Sequence, residues 1–117
     1  MAGTKAVTTT FTSAAVGAGV TTATQWTQLT GNGGDLGWSI ANGASAPTSS
    51  PYFSIYLSPD NGTTIRYLTT VYGGLTASTT YTGIIPIDDA AMYIGIAATG
   101  GATNGSTFVS EIQQITY

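Results

Sequence analysis

Strong acid–base chemistry in this chain has to come from five carboxylates, Asp35, Asp60, Asp88, Asp89 and Glu111, or from the two cations Lys5 and Arg66. A glycosidase needs two of those carboxylates flanking a sugar at a set separation. Asp60 instead sits in Pro59-Asp60-Asn61-Gly62, where turn chemistry favours Asp, and Asp35 follows the Gly-rich Gly31-Asn32-Gly33-Gly34. Asp88 reads as a cap or corner, and Asp88-Asp89 as a candidate oxygen site for Ca²⁺ lacking the spaced D-x-D-x-D pattern. Glu111 falls in the final strand and is expected to face solvent or to pair with Arg66 or Lys5. A Ser/Lys pair built on Lys5 would place its base in a segment too loosely held to meet a target.

The chain has no Cys and no His, which removes disulfides, thiolate nucleophiles, Cys/His metal sites and imidazole catalysis. We therefore expect no catalytic residue, no metal and no cofactor. Two basic residues cannot neutralise the several phosphates of a nucleic-acid site, so no nucleic acid is expected as a partner. A basic membrane-surface helix fails likewise, no apolar run approaches ~20 residues, and no membrane association is expected. Thr interrupts every apolar stretch of MAGTKAVTTTFTSAAVGAGV, so the segment lacks the apolar region of a signal peptide. Asn61-Gly62-Thr63 and Asn104-Gly105-Ser106 match the glycosylation sequon, but turn composition accounts for both.

The aromatic side chains are the other chemistry-bearing set. Trp26 and Trp38 stand with Tyr52, Tyr56, Tyr72, Tyr81 and Tyr93. Such rings stack on sugars and are enriched at protein interfaces; alternatively the tryptophans fill a core between sheets. Tyr52 and Tyr56 fall in the phase opposite Phe53, Ile55 and Leu57, so they line a second buried surface or a contact face. With Tyr72 and Trp26 they are the candidate interface aromatics.

The elements that position these groups read as strands. With 16 Gly and 23 Thr in 117 residues, turn formers alternate with side chains that pack well on a pleated surface. Turn signals recur every 10–15 residues or so, as in a sandwich or small barrel. The pattern predicts an all-β fold, a single antiparallel β-sandwich of jelly-roll or Ig-like type with about seven or eight strands. Its clearest unit is the hairpin of Tyr52–Leu57 and Ile65–Tyr72 around Pro59–Gly62, with Ile65, Tyr67, Thr69 and Val71 alternating against Arg66, Leu68, Thr70 and Tyr72. Leu36, Trp38 and Ile40 share one face, as do Met92, Ile94 and Ile96. Pro86 ends its strand or places it at an edge, and Asp88–Met92 has room for one helical turn. In the last run Phe108 and Ile112 are out of phase with Ile115 and Tyr117, which a bulge or two-sided burial would reconcile. Residues 1–19, with Phe11 as the only large side chain, read as an extended N-terminal arm, and 20–117 as the sandwich.

Only 6% of the residues are charged while 42% are hydrophobic. Free sandwiches commonly guard their edge strands with charge. A domain without that guard is expected to have its edges and aromatic faces covered, in a homo-oligomer or a larger assembly.

The Thr/Ala-rich MAGTKAVTTTFTSAAVG, followed by WTQLTGNGG, YFSIYLSPDNGTTIRYL and a closing FVSEIQQITY, resembles small virion proteins of tailed bacteriophages, most nearly the head decoration (cement) proteins. The resemblance lies in style and layout over most of the chain, and residues 31–34 match nothing in it. It implies a structural protein on the outer capsid surface that binds the major capsid protein and itself, often as a trimer. It further implies contact through the arm, here Thr4, Lys5, Val7, Thr8, Thr9, Thr10 and Phe11, whose removal (residues 2–12) should abolish lattice binding and leave the domain folded. The competing readings are a receptor- or carbohydrate-binding module of a tail fibre and a tail or neck subunit.

Overall fold

A computed structural model describes residues 4–29, 34–87 and 93–116. Eight strands run along the chain: β1 (Thr4–Val16), β2 (Gln25–Gln28), β3 (Gly34–Asn42), β4 (Tyr52–Ser58), β5 (Arg66–Tyr72), β6 (Thr80–Ile87), β7 (Tyr93–Thr99) and β8 (Ser106–Thr116). The first sheet has the order β1-β8-β3-β6 and the second β2-β7-β4-β5, with every strand pair antiparallel. Except at the β4–β5 hairpin, each strand is followed by one in the opposite sheet. That order is the double-sheet jelly roll, and it decides between the two sandwich types the sequence allowed.

Period-two patterning explains which faces meet. Leu36 and Ile40 from β3, Phe53 and Ile55 from β4, Ile94 and Ile96 from β7, and Phe108 and Ile112 from β8 are all fully buried between the sheets. Trp38 and Leu57 pack against this core while half-buried. At its centre the Phe53 ring meets Phe11 and Phe108 edge-on, with centroids 5.4 and 5.1 Å away. Such pairs add about 0.5–1.5 kcal/mol each beyond the area they bury. Pro86 lies in edge strand β6, as its missing donor requires. Asp88–Met92, with the expected helical turn, lie outside the described residues.

The N-terminal arm is corrected by this architecture. Residues 4–16 form β1, which pairs with β8 from Thr4↔Thr116 to Val16↔Ser106. Phe11 and Val16 are core residues, and the Thr10 and Ser110 hydroxyls share a buried 2.7 Å hydrogen bond. The division at residues 19/20 therefore separates no arm from the sandwich. The physical reason is that Thr is a strand former: a segment with one large side chain contributes little core by itself, yet gains a full ladder beside β8. Register shifts between Thr9 and Phe11 and between Phe11 and Ala14 bend β1 as it crosses the sandwich. The bulges thus lie in β1, facing the final strand.

A second difference concerns β5. Ile55 pairs with Thr69 but Tyr56 pairs with Tyr67, so Leu68 is an extra residue. The bulge reverses the alternation, moving Tyr67 to the face opposite Thr69 and Val71. Strict alternation through that strand does not hold.

Asn42, at the end of β3, ties the two sheets' connections together. Its amide donates to the carbonyls of Gly74 (2.8 Å) and Thr76 (3.0 Å), and its Oδ1 accepts from the Ser106 hydroxyl at 2.7 Å. The β5–β6 connection is thereby pinned to β3 and β8. Asn42→Ala leaves these partners unsatisfied and should destabilise the fold by about 2–3 kcal/mol. Urea unfolding should show a lower midpoint with an unchanged slope; a wild-type midpoint would contradict the pinning role.

Candidate functional site

Two surfaces stand out, one on the outer face of each sheet. The first is aromatic. On the outer face of the second sheet, register aligns Trp26 with Gly95, Gly95 with Tyr56, and Tyr56 with Tyr67, a row that crosses all four strands. The Tyr56 and Tyr67 rings lie 6.1 Å apart, and Tyr52 and Tyr72 form a second pair at 5.7 Å. Tyr67 and Tyr72 are 62% and 61% exposed, and Trp26, Tyr52 and Tyr56 are half-buried. The structure thus brings all four sequence-derived interface aromatics onto one face. It adds Tyr67, which strict alternation had put on the other side of β5. Neither tryptophan sits in the closed core: Trp38 borders it and Trp26 lies on this outer face.

Glycine makes room for the indole of Trp26. A Cβ at Gly95 or Gly62 would lie within 2.6 or 2.9 Å of its ring atoms. Gly62 also has φ 93°, after Asn61 at 57°, in the turn that follows β4. Ser58 braces that turn, its hydroxyl accepting from the Gly62 N–H at 2.8 Å and donating to Asp60 Oδ1 at 2.9 Å. The Thr64 N–H, donating to Asp60 Oδ1 at 2.6 Å, holds the Asp60 carboxyl below the usual carboxylate range, with lesser help from Ser58. That brace is complete above the ordinary aspartate pKa and is lost as pH falls through the lowered one. Asp60 is therefore a turn residue, as its sequence context indicates. Gly62→Ala adds both a left-handed strain and a collision with the indole, costing about 1–3 kcal/mol. We expect a lower melting temperature and an altered near-ultraviolet Trp signal; wild-type values of both would contradict the shelf role of Gly62.

The second surface is an open groove of about 680 Å³ on the outer face of the first sheet. Val7 and Ile84, from edge strands β1 and β6, are 63% and 72% exposed and form its apolar sides. Gly37 lies on its floor, where the Glu111 carboxylate takes the space a Cβ would need. Asp35 and Glu111 both line the groove and are solvent-exposed. This is the one pair of carboxylates, among the described residues, that the fold gathers into a groove. Neither has an ion-pair partner among the described side chains, so Glu111 faces solvent and is not paired with Arg66; the side chain of Lys5, the other expected partner, lies outside the described ones. Among the described residues there is no group of three metal-ligating side chains. Asp88-Asp89, the candidate Ca²⁺ site, lie outside them.

The residues expected to act as a capsid-binding arm are distributed differently. Thr10 and Phe11 are buried and reach no outside partner. Thr4 and Lys5 pair in the ladder with Thr116 and Ile115. Val7, Thr8 and Thr9 are exposed on β1, and Val7 borders the groove. Sequence reasoning missed the groove because Asp35, Glu111 and Val7 come from distant parts of the chain. Gly37, interrupting the β3 alternation, is the one local sign of it.

No family model matches the chain, and no curated protein matches it. Among solved structures, a chain in the structure of infectious bursal disease virus, Gx strain, is similar at a TM-score of 0.56 with 17% sequence identity. The match covers 97% of this chain and 32% of that one, so this chain spans about a third of its neighbour's length. The shared feature is the fold.

Proposed function

We propose that this chain is a structural subunit of a virion, a capsid decoration protein that binds the outer surface of a phage head and stabilises the shell. The observation that carries the reading is the exposed aromatic face of the second sheet, Trp26, Tyr52, Tyr56, Tyr67 and Tyr72, in a chain with almost no charge to guard it. Large apolar patches of this kind mark association surfaces. Two further points support it: the jelly roll is shared with a chain of a virus, and the sequence resembles cement proteins in layout. The fold by itself hosts many functions. Contact with the major capsid protein is assigned to this face, because the N-terminal segment is engaged in β1.

The mechanism is thermodynamic. A protein that binds only the mature shell stabilises it by mass action, about 2.7 kcal/mol per site at a hundredfold excess over Kd, and repetition on a lattice multiplies the effect. Mixing the purified chain with undecorated heads tests this. Saturable binding and a higher dissociation temperature are expected; heads that neither bind it nor gain stability would overturn the reading. The second reading is a carbohydrate- or receptor-binding tail-fibre module. The observation favouring it is the indole of Trp26 laid over Gly95 and Gly62 beside Tyr56, a platform on which a sugar ring can stack. Glycan-array binding together with no affinity for heads would select it.

A further inference from the structure

We infer that copies of this chain associate head-to-tail, the start of β5 in one copy seating in the outer groove of the first sheet in the next. The inference goes beyond the decoration reading: its knob adjoins the aromatic face at Tyr67, and its groove lies on the other sheet. At the start of β5, Ile65, next to Arg66, and Leu68, two residues beyond it, are exposed. Arg66 is itself exposed and without an ion-pair partner among the described residues. The groove presents the complement: apolar sides from Val7 and Ile84, with the carboxylates of Asp35 and Glu111 between them. The knob belongs to the second sheet and the groove to the outer face of the first, so one copy cannot satisfy both.

Charge selects the mode of pairing. Knob against knob sets Arg66 against Arg66, and groove against groove sets four carboxylates together. Knob into groove is the arrangement of these two surfaces that joins opposite charges and covers apolar atoms on both sides. Like-charge juxtaposition is costly at an interface, so the repulsive pairings are selected against. Such a contact is heterologous and leaves a free knob and a free groove at its two ends. It therefore closes into a ring or continues as an array.

The test uses the full chain and charge reversal, read by sedimentation equilibrium, with circular dichroism to confirm that each variant is folded. Wild type should assemble beyond the dimer as concentration rises. Arg66→Glu, and separately Asp35→Lys with Glu111→Lys, should weaken self-association at least about 30-fold. The three substitutions combined in one chain should restore it. Mixing the two defective variants should also restore assembly beyond the dimer, because each then offers the other an opposite charge at both ends. A two-fold contact predicts instead that this mixture stops at dimers; that result, or a triple variant that stays defective, overturns the inference. So does a wild-type chain that stays monomeric at millimolar concentration. Such a monomer that still binds heads would leave the decoration reading intact.

Discussion

A chain lacking residues 2–12 will fail to reach the native state. Those residues contain most of the β1 side of the ladder with β8, from Thr4↔Thr116 through Phe11↔Ser110. They also supply Thr10, hydrogen-bonded to Ser110, and Phe11, whose ring meets Phe53 between the sheets. Removing them opens the core to water on one side and leaves β8 with a free edge. The point substitution Phe11→Ala is the milder form and should cost about 3–5 kcal/mol, a large share of the 5–15 kcal/mol typical of a whole domain. The truncated chain should show no cooperative thermal transition, and Phe11→Ala a strongly lowered urea midpoint. A truncated chain with native circular dichroism and a normal transition would show that the segment is dispensable for folding, as a true arm would be.

The second large effect is expected on binding. Tyr56→Ser together with Tyr72→Ser removes one ring from each tyrosine pair on the outer face of the second sheet. Buried aromatic anchors at interfaces commonly contribute 2 kcal/mol or more each, so the pair should weaken head binding at least about 100-fold. Stability should change far less, because Tyr72 is exposed and Tyr56 only half-buried on that face. Undiminished head occupancy by the folded double variant would remove this face from the interface. Loss of glycan binding in the same variant, with no head binding by the unsubstituted chain, would favour the tail-fibre reading.

The sequence made the sandwich legible where local rules act alone. In β4, Phe53, Ile55 and Leu57 face inward and Tyr52, Ser54 and Tyr56 outward, as period two requires. The turn after it carries Asn61 and Gly62 at positive φ, as its composition indicates. The rules fail where one extra residue enters a ladder. The bulge at Leu68 sends Tyr67 to the aromatic face, and nothing in the β5 sequence marks it. They fail again for β1, because a Thr-rich strand with one large side chain looks the same whether it is paired or free. What decides is the ladder offered by β8, at the far end of the chain. Asn42 was hidden for a similar reason: its three partners, Gly74, Thr76 and Ser106, come together only once both sheets have formed.

The scarcity of charge acquires a spatial meaning in the fold. Asp60 is used within its turn, whereas Asp35 and Glu111 sit in one groove and Arg66 stands apart on a sheet edge. Among the described residues these three charges have no ion-pair partner, and they lie on two separate surfaces of the sandwich. On the proposals made above, the aromatic face would supply the uncharged contact to a shell, and the groove with Arg66 the charged contact between copies.

The most direct measurement is a particle reconstruction from virions with and without this chain. The account predicts extra density on the outside of the head that disappears with the chain. Fitted into that density, the second sheet should turn Trp26, Tyr56 and Tyr72 toward the shell. Density confined to the tail, or a fit in which those side chains face solvent, would contradict it.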